Sequence, residues 1–156
     1  MHLVEFIVTN YRSISDSGPV SIGRLTSLVG RNESGKTNLL LALQTLNPVG
    51  GLTALSPIKD FPRHRRLSEC TDDTAVLKTV WELDEAEQHE LAELFPRAAG
   101  VTSVEIGRYY KAMRWVHFPG LKPLEFQAPA VNARLRRITP VATAAAEKLA
   151  DDAVKN

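Results

Sequence analysis

One stretch of the sequence combines residue types suited to holding a phosphate group. Residues Gly30–Thr37 read Gly-Arg-Asn-Glu-Ser-Gly-Lys-Thr and match the phosphate-binding loop pattern G-x-x-x-x-G-K-[ST]. Glycine permits backbone conformations and close approaches that a Cβ atom would obstruct. In such a loop backbone amides surround a phosphate, Lys36 carries positive charge to the β- and γ-phosphates, and the Thr37 hydroxyl suits Mg²⁺. The stretch therefore predicts a nucleotide site.

The flanking segments match the elements that such a loop needs. Leu25–Val29 is a short apolar run that predicts a buried strand, and Asn38–Leu46 predicts a buried helix that ends before Pro48. A loop between a strand end and a helix start meets unpaired backbone N–H groups and the positive end of the helix dipole. Both features favour a bound anion.

The composition is that of an ordinary globular protein. Of 156 residues, 44% are hydrophobic and 24% are charged, and the formal net charge is +1, so composition alone indicates neither nucleic acid nor membrane as a partner. Cys70 is the single cysteine, which excludes an internal disulfide and suits a reducing cytoplasm. No apolar run reaches the ~18 residues of a membrane span, and the N-terminus lacks a signal peptide's features. We therefore expect a cytoplasmic protein with no membrane partner.

The remaining sequence predicts further strands around the loop. Leu3–Val8 and Pro19–Ile22 predict strands too close in sequence for a crossover connection, so we expect them to pair antiparallel. The other predicted elements are a strand at Ala75–Leu83, a helix at Asp84–Phe95 capped by Asp84, two strands at Val101–Ile106 and Arg108–Phe118 or one strand bent at Gly107, a short strand at Leu124–Phe126 and a helix at Thr139–Val154. The expected division is a domain over residues 1–138 and a helical tail over 139–156.

The loop variant and the N-terminus resemble one group of ATPases. Asn32 lies inside the loop, Asn38 follows it, and Asn10–Ser13 reads Asn-Tyr-Arg-Ser after the first predicted strand. This combination resembles the N-terminal lobe of the ABC-type ATPase heads of SMC, RecF and OLD-like proteins, up to about residue 70. The resemblance implies an α/β P-loop fold with a central strand–loop–helix unit and a flanking antiparallel sheet, and ATP and Mg²⁺ as cofactors.

Pattern and resemblance together assign a set of residues to the nucleotide. In the family the arginine and serine of the N-terminal turn lie beside the nucleotide, which implies that role for Arg12 and Ser13. Thr37 is the predicted metal ligand. The predicted cofactor-binding residues are Gly30, Arg31, Asn32, Glu33, Ser34, Gly35, Lys36, Thr37, Asn38, Arg12 and Ser13.

The catalytic half of such an ATPase is not recognisable in the sequence. A signature motif of the Leu-Ser-Gly-Gly type, an apolar strand ending in Asp-Glu and a late histidine are missing. Val80–Glu85 superficially matches the Asp-Glu strand, but its alternating polarity favours a half-exposed antiparallel strand, and Asp84 favours a helix cap. We therefore predict no catalytic residue here. The chain is predicted to be an ATP-binding lobe, acting in DNA repair or phage defence, whose hydrolysis requires a second lobe or ATPase head.

Two alternative functions stay open. One is a complete small P-loop NTPase or kinase, although the GTPase motifs D-x-x-G and N-K-x-D do not occur. The other is a non-catalytic nucleotide-binding or interaction module. Two basic clusters, Arg63–Arg66 and Arg134–Arg137, make the phosphates of DNA, or the nucleotide itself, candidate ligands, although solvated surface is the commoner role of such clusters.

Overall fold

The computed structural model describes residues 1–31, 35–121, 136, 138–140 and 143. The chain divides into two units, Met1–Lys122 and Pro123–Asn156. The residues described in the second unit are helical. The predicted strand at Leu124–Phe126 lies outside the described residues, and so does most of the predicted helix at Thr139–Val154 and of the basic cluster Arg134–Arg137.

An antiparallel sheet of six strands forms the body of the first unit. Its strands are β1 (His2–Tyr11), β2 (Ile14–Asp16), β3 (Val20–Ser21), β4 (Ala75–Glu82), β5 (Ser103–Tyr109) and β6 (Arg114–His117). The order is β2-β1-β4-β5-β6, and β3 pairs with a separate part of β1. Phe6 lies opposite Val20 in this β1–β3 pair, which confirms the antiparallel pairing predicted for the first strands.

The predicted α/β P-loop fold is wrong. Every strand pair among the described residues is antiparallel, and Leu25–Val29 forms no strand. Leu25 and Val29 are each 91% exposed. A short apolar run becomes a buried strand only where a neighbouring strand satisfies its backbone groups and a packed surface covers its side chains. The described residues supply Leu25–Val29 with neither a neighbouring strand nor a packed surface. The described part of the chain therefore contains no central parallel strand–loop–helix unit.

Three α-helices accompany the sheet in the described part of the first unit. They are α1 (Lys36–Gln44), α2 (Pro57–Asp60) and α3 (Glu85–Leu94). Helix α1 packs on β1 and β4. Ala42 is its one buried residue, so the helix predicted to be buried keeps much of its surface exposed. No helix among the described residues has the length and apolar character needed to cross a membrane.

Helix α3 begins at the cap predicted from the sequence. Asp84 Oδ1 accepts a hydrogen bond from the Glu87 amide at 2.9 Å, and Glu87 Oε2 accepts one from the Asp84 amide at 3.0 Å. These reciprocal bonds satisfy two donors that the helix start leaves open. The helix-cap role of Asp84 is confirmed. Strand β4, which ends just before this cap, lies between β1 and β5 and is antiparallel to both.

Strand β5 continues through Gly107 instead of ending there. Gly107 pairs with Trp115 of β6, and a Cβ atom on Gly107 would lie 2.2 Å from the Trp115 indole ring. Glycine is required because the indole covers the backbone at this point. The chain reverses at residues 110–113, where the Tyr109 amide donates to the Met113 carbonyl at 3.2 Å. Both predicted alternatives, two strands divided at Gly107 and one strand bent there, therefore misplace the point at which the chain turns.

The core is built between the sheet, α1 and the segment around α2. Its buried members are Phe6, Val8, Tyr11, Ala42, Phe61, Val76, Leu77 and Tyr110. A charged side chain, Arg108, is also buried, at 1% exposure. Its guanidinium donates to the carbonyls of Thr45 and Thr53, and burial lowers its pKa. This arginine ties the end of α1 and the following loop to β5.

Candidate functional site

The predicted phosphate loop lies between the exposed segment before it and the start of α1. Asn32, Glu33 and Ser34 fall outside the described residues. Gly35 has a φ of 89°, a left-handed conformation that strains any residue with a side chain. A Cβ atom there would also lie 3.3 Å from Ser13 Oγ. The backbone angle therefore favours the glycine expected at this position, and a Cβ atom would also crowd Ser13.

Lys36 folds back toward the beginning of the loop. Its Nζ donates to the Gly30 carbonyl at 2.7 Å and to the Arg31 carbonyl at 2.5 Å. The Lys36 side chain thus connects the end of the loop to its beginning. Its ammonium group holds a positive charge close to the backbone that would contact a phosphate. A bound phosphate would compete with these carbonyls for the same donors.

The start of α1 presents backbone donors in an electropositive setting. The first intrahelical bond runs from the Leu39 amide to the Gly35 carbonyl at 3.0 Å, so the amides of Lys36, Thr37 and Asn38 precede it. The cap position has no side-chain hydrogen bond, and the first turn contains no acidic residue. The dipole of this nine-residue helix therefore adds to the charge of Lys36. The arrangement fits a phosphate group.

The turn after β1 is the second predicted part of the site. Asn10 and Arg12 both have left-handed backbone angles, with φ of 52° and 51°. Asparagine tolerates this conformation, whereas an arginine held there costs on the order of 1–3 kcal/mol. The Arg12 amide donates to the Asp60 carbonyl at 2.6 Å, and Arg12 Nε donates to Asp60 Oδ1 at 3.3 Å. These contacts with the end of α2 maintain the strained turn.

The structure brings the two predicted segments together at Ser13. Asn38 Nδ2 donates to Ser13 Oγ at 2.8 Å, and the same oxygen faces Gly35. Arg12 takes a different direction, since its guanidinium pairs with Asp60 and lies over the Tyr11 ring. From the N-terminal turn, Ser13 therefore contacts Gly35 and Asn38, which belong to the described part of the loop region.

A basic cleft of about 630 Å³ opens beside this junction. Its lining consists of Arg12, Ser13, Lys59, Phe61, Arg63 and His64. The sequence marked Arg12, Ser13 and the cluster Arg63–Arg66, but it did not mark Lys59. Lys59 reaches the cleft because α2 packs against the turn after β1, and no local sequence signal indicates that contact.

The four residues Arg63–Arg66 do not form one basic surface. Arg63 and His64 line the cleft, whereas Arg65 Nη2 pairs with Glu69 Oε2 at 2.7 Å. The hydrogen bond from Arg65 lowers the pKa of Glu69. Arg65 also lies over the Phe61 ring, with 5.1 Å between its Cζ and the ring centroid. Two residues of the cluster therefore face a cavity, and Arg65 has a structural role.

The described residues provide little catalytic or metal-binding chemistry. They contain no group of three or more His, Cys, Asp or Glu side chains placed to hold a metal ion. Thr37 is exposed at the start of α1, where its hydroxyl could reach a metal carried by a nucleotide. Burial raises the pKa of Cys70, which disfavours the reactive thiolate.

Comparison with known proteins gives one partial similarity. A stretch of 54 residues, 33% of the chain, is 43% identical to the uncharacterized protein MJECL44 of Methanocaldococcus jannaschii. The match spans 16% of the length of that protein. No protein-family model matches the chain.

Proposed function

We propose that the loop Gly30–Thr37 binds the phosphates of ATP together with Mg²⁺. The observation that carries this proposal is the hydrogen bond between Asn38 and Ser13, 2.8 Å long. It joins two segments, Asn10–Ser13 and Gly30–Asn38, that the sequence marks separately as nucleotide-binding. A chance match to the loop pattern gives no reason for the N-terminal turn to pack against the start of α1.

The chain's own residues would act through charge and backbone donors. Lys36 would exchange its bonds to the Gly30 and Arg31 carbonyls for bonds to phosphate oxygens, which are stronger because both partners are charged. The first amides of α1 would donate to the same phosphate. Bound Mg²⁺ would neutralise charge on the β- and γ-phosphates, with the Thr37 hydroxyl as a protein ligand. Arg12 and Ser13 would border the nucleotide from the side of the turn.

The wider role proposed is that of an ATP-binding lobe in a RecF/OLD-like ATPase of DNA repair or phage defence, in the cytoplasm. Hydrolysis would require a second lobe or ATPase head. The exposure of Leu25 and Val29, 91% each, supports a partner that covers this apolar segment. Because the surrounding sheet is antiparallel, the proposal concerns the ligand and the partner of such an ATPase and does not include its α/β fold.

A second candidate is a nucleotide-binding module that never hydrolyses its ligand. The observation that favours it is the small number of catalytic groups in the described part of the chain. Asp84, the first residue of the Asp84-Glu85 pair, is used as a helix cap, and no metal-binding cluster lies among these residues. Both candidates predict ATP binding by the isolated chain, and turnover in the presence of a partner distinguishes them.

Thermal unfolding with ATP and Mg²⁺ tests the binding proposal. Ligand at 100 times its dissociation constant adds about 2.7 kcal/mol to the free energy of unfolding. For a chain of this size that is an increase in Tm of roughly 5–10 °C. Lys36→Ala should remove most of this increase.

The matched control is Lys111→Ala, which deletes a lysine that pairs with Asp73 outside the loop. Its protein should keep the full ligand-dependent increase in Tm, whatever its own stability. An absent increase in the parent protein, or an unchanged increase in Lys36→Ala, would show that the loop does not bind ATP.

A further inference from the structure

The basic cleft beside Ser13 carries positive charge that the described residues leave without a counter-charge. Lys59 and Arg63 are exposed, and their side chains make no ion pair or hydrogen bond with any described residue. Three other surface cations do have carboxylate partners: Arg65 pairs with Glu69, Lys78 with Glu105 and Lys111 with Asp73. What distinguishes the cleft is that two such uncompensated cations line one cavity.

The Asp60 carboxylate beside the cleft does not neutralise it. Asp60 has a side chain only 13% exposed, and it accepts from Arg12 Nε at 3.3 Å and from the Ser56 amide at 3.2 Å. The negative charge of Asp60 is thus used by the Arg12 guanidinium and by the Ser56 amide at the start of α2. Lys59 and Arg63 remain as two cations that face the same cavity, which raises the local concentration of anions.

The walls of the cleft are held in place before any ligand arrives. Phe61 and Pro62 are buried and anchor the segment that carries the cationic side chains. The Arg65 amide donates to the Pro62 carbonyl at 3.0 Å, which closes a turn around Arg63 and His64. The His64 ring also contacts Ser15 Oγ at 2.7 Å. A preorganised site of this kind loses little entropy on binding.

The lining indicates which part of a ligand the cleft would recognise. The phenyl ring in the lining belongs to Phe61. This residue is 2% exposed and is covered by Arg65, so its ring offers no face to a stacked base. A volume of about 630 Å³ suits a small molecule. Two cations beside a covered phenyl ring, with the His64 imidazole as the exposed ring of the described lining, favour the phosphate groups of a small ligand over a single-stranded nucleic acid.

We infer that this cleft is a second phosphate site, beside the loop Gly30–Thr37, that binds a small polyphosphate or phosphate ester. Lys59 and Arg63 supply its charge, Arg12 borders it, and His64 adds a ring nitrogen at its rim. Ser13 lines the cleft and also accepts the hydrogen bond of Asn38, so the two sites meet at this residue. The inference does not depend on ATP binding by the loop.

Calorimetric titration with inorganic pyrophosphate, carried out in a Lys36→Ala background, tests this site without the loop's lysine. The Lys36→Ala protein should bind one pyrophosphate. Adding Arg63→Glu should weaken that binding by at least about tenfold, because one charge-assisted contact is replaced by repulsion. The matched charge control is Arg97→Glu, at an exposed arginine after α3, which should change the affinity less than about twofold.

The outcomes separate this site from the loop and from a nucleic-acid surface. Failure of the Lys36→Ala protein to bind pyrophosphate, or equal weakening by Arg63→Glu and Arg97→Glu, would overturn the second site whatever the result of the ATP experiment. A short oligothymidylate provides the other arm. Both competitors are compared at equal concentrations of phosphate groups. If the oligonucleotide displaces bound pyrophosphate at a lower concentration than free pyrophosphate does, the assignment to a small ligand is overturned.

Discussion

Asn38 Nδ2 donates a hydrogen bond of 2.8 Å to Ser13 Oγ and so connects the turn after β1 to the first turn of α1. The same serine oxygen faces Gly35, where a Cβ atom would lie 3.3 Å away. A loop that must hold a phosphate needs its glycine and its helix start in fixed positions. Ser13 provides this support from a part of the chain 25 residues earlier.

Loss of the bond between Ser13 and Asn38 should weaken both folding and ATP binding. Ser13→Ala and Asn38→Ala should each lower the free energy of unfolding by about 0.5–1.5 kcal/mol, and the double variant should cost less than their sum because the two residues share one bond. Urea unfolding with and without ATP–Mg²⁺ measures both effects. Ser68→Ala, at an exposed serine outside the site, is the control. Additive losses would show that the bond contributes nothing.

Arg108 should be more sensitive to a lysine substitution than to an apolar one. Its guanidinium donates to two carbonyls, those of Thr45 and Thr53, and no described carboxylate lies within ion-pair distance. Arg108→Lys keeps a buried charge but loses the planar pair of donors, so we expect a loss of about 3–5 kcal/mol. Arg108→Met removes the charge along with the donors and should cost less.

Urea unfolding of both Arg108 variants checks this order. Arg114→Lys is the control, since Arg114 pairs with Arg108 across the β5–β6 ladder and is exposed. That substitution should change the free energy of unfolding by less than about 0.5 kcal/mol. An Arg108→Met protein less stable than Arg108→Lys would mean that the buried charge itself is favourable.

Gly107→Ala should destabilise the β5–β6 hairpin. The new methyl group would lie 2.2 Å from the Trp115 ring, so the indole must move and the fold should lose about 1–3 kcal/mol. Trp115→Val in the same chain should recover part of this loss by removing the clash. Gly23→Ala is the control, because a Cβ atom on Gly23 meets nothing within 4 Å. Equal effects of the two glycine substitutions would contradict the packing explanation.

The features that the sequence predicted correctly depend on neighbouring residues. Asp84 caps α3 through Glu87, three residues away, and alternating polarity marks β4 along its own length. Gly35 adopts the left-handed angle expected of a loop glycine. Short-range rules suffice for such features, because both partners lie within one turn of chain or one strand.

The features that the sequence did not predict correctly depend on distant partners. Leu25–Val29 has the composition of a strand, but a strand needs a neighbour, and the described chain provides none. Gly107 reads as a break until Trp115 is placed opposite it. Lys59 joins the cleft only because the strained turn at Arg12 packs against α2. None of these contacts leaves a signal in the local pattern.

Tyr110 should make the fold sensitive to high pH. It is 2% exposed, its hydroxyl donates to the Asn10 carbonyl at 2.7 Å, and burial raises its pKa above the usual value of about 10. Above that usual value the unfolded chain loses the phenolic proton while the folded chain keeps it, so the free energy of unfolding falls as pH rises. The contribution is complete below about pH 10 and is lost as pH increases through the raised pKa, with a limiting slope of about 1.4 kcal/mol per pH unit.

Tyr110→Phe should remove this part of the alkaline slope and also cost about 1–3 kcal/mol at neutral pH, because the Asn10 carbonyl loses its donor. Some slope should persist in the variant, since burial also raises the pKa of Tyr11. Urea unfolding between about pH 8 and 11 measures both quantities. Tyr109→Phe is the control, because that ring is half-buried and its hydroxyl makes no hydrogen bond with the described residues. Identical slopes in Tyr110→Phe and the parent protein would show that the buried phenol does not couple folding to pH, and would leave Tyr11 as the tyrosine responsible.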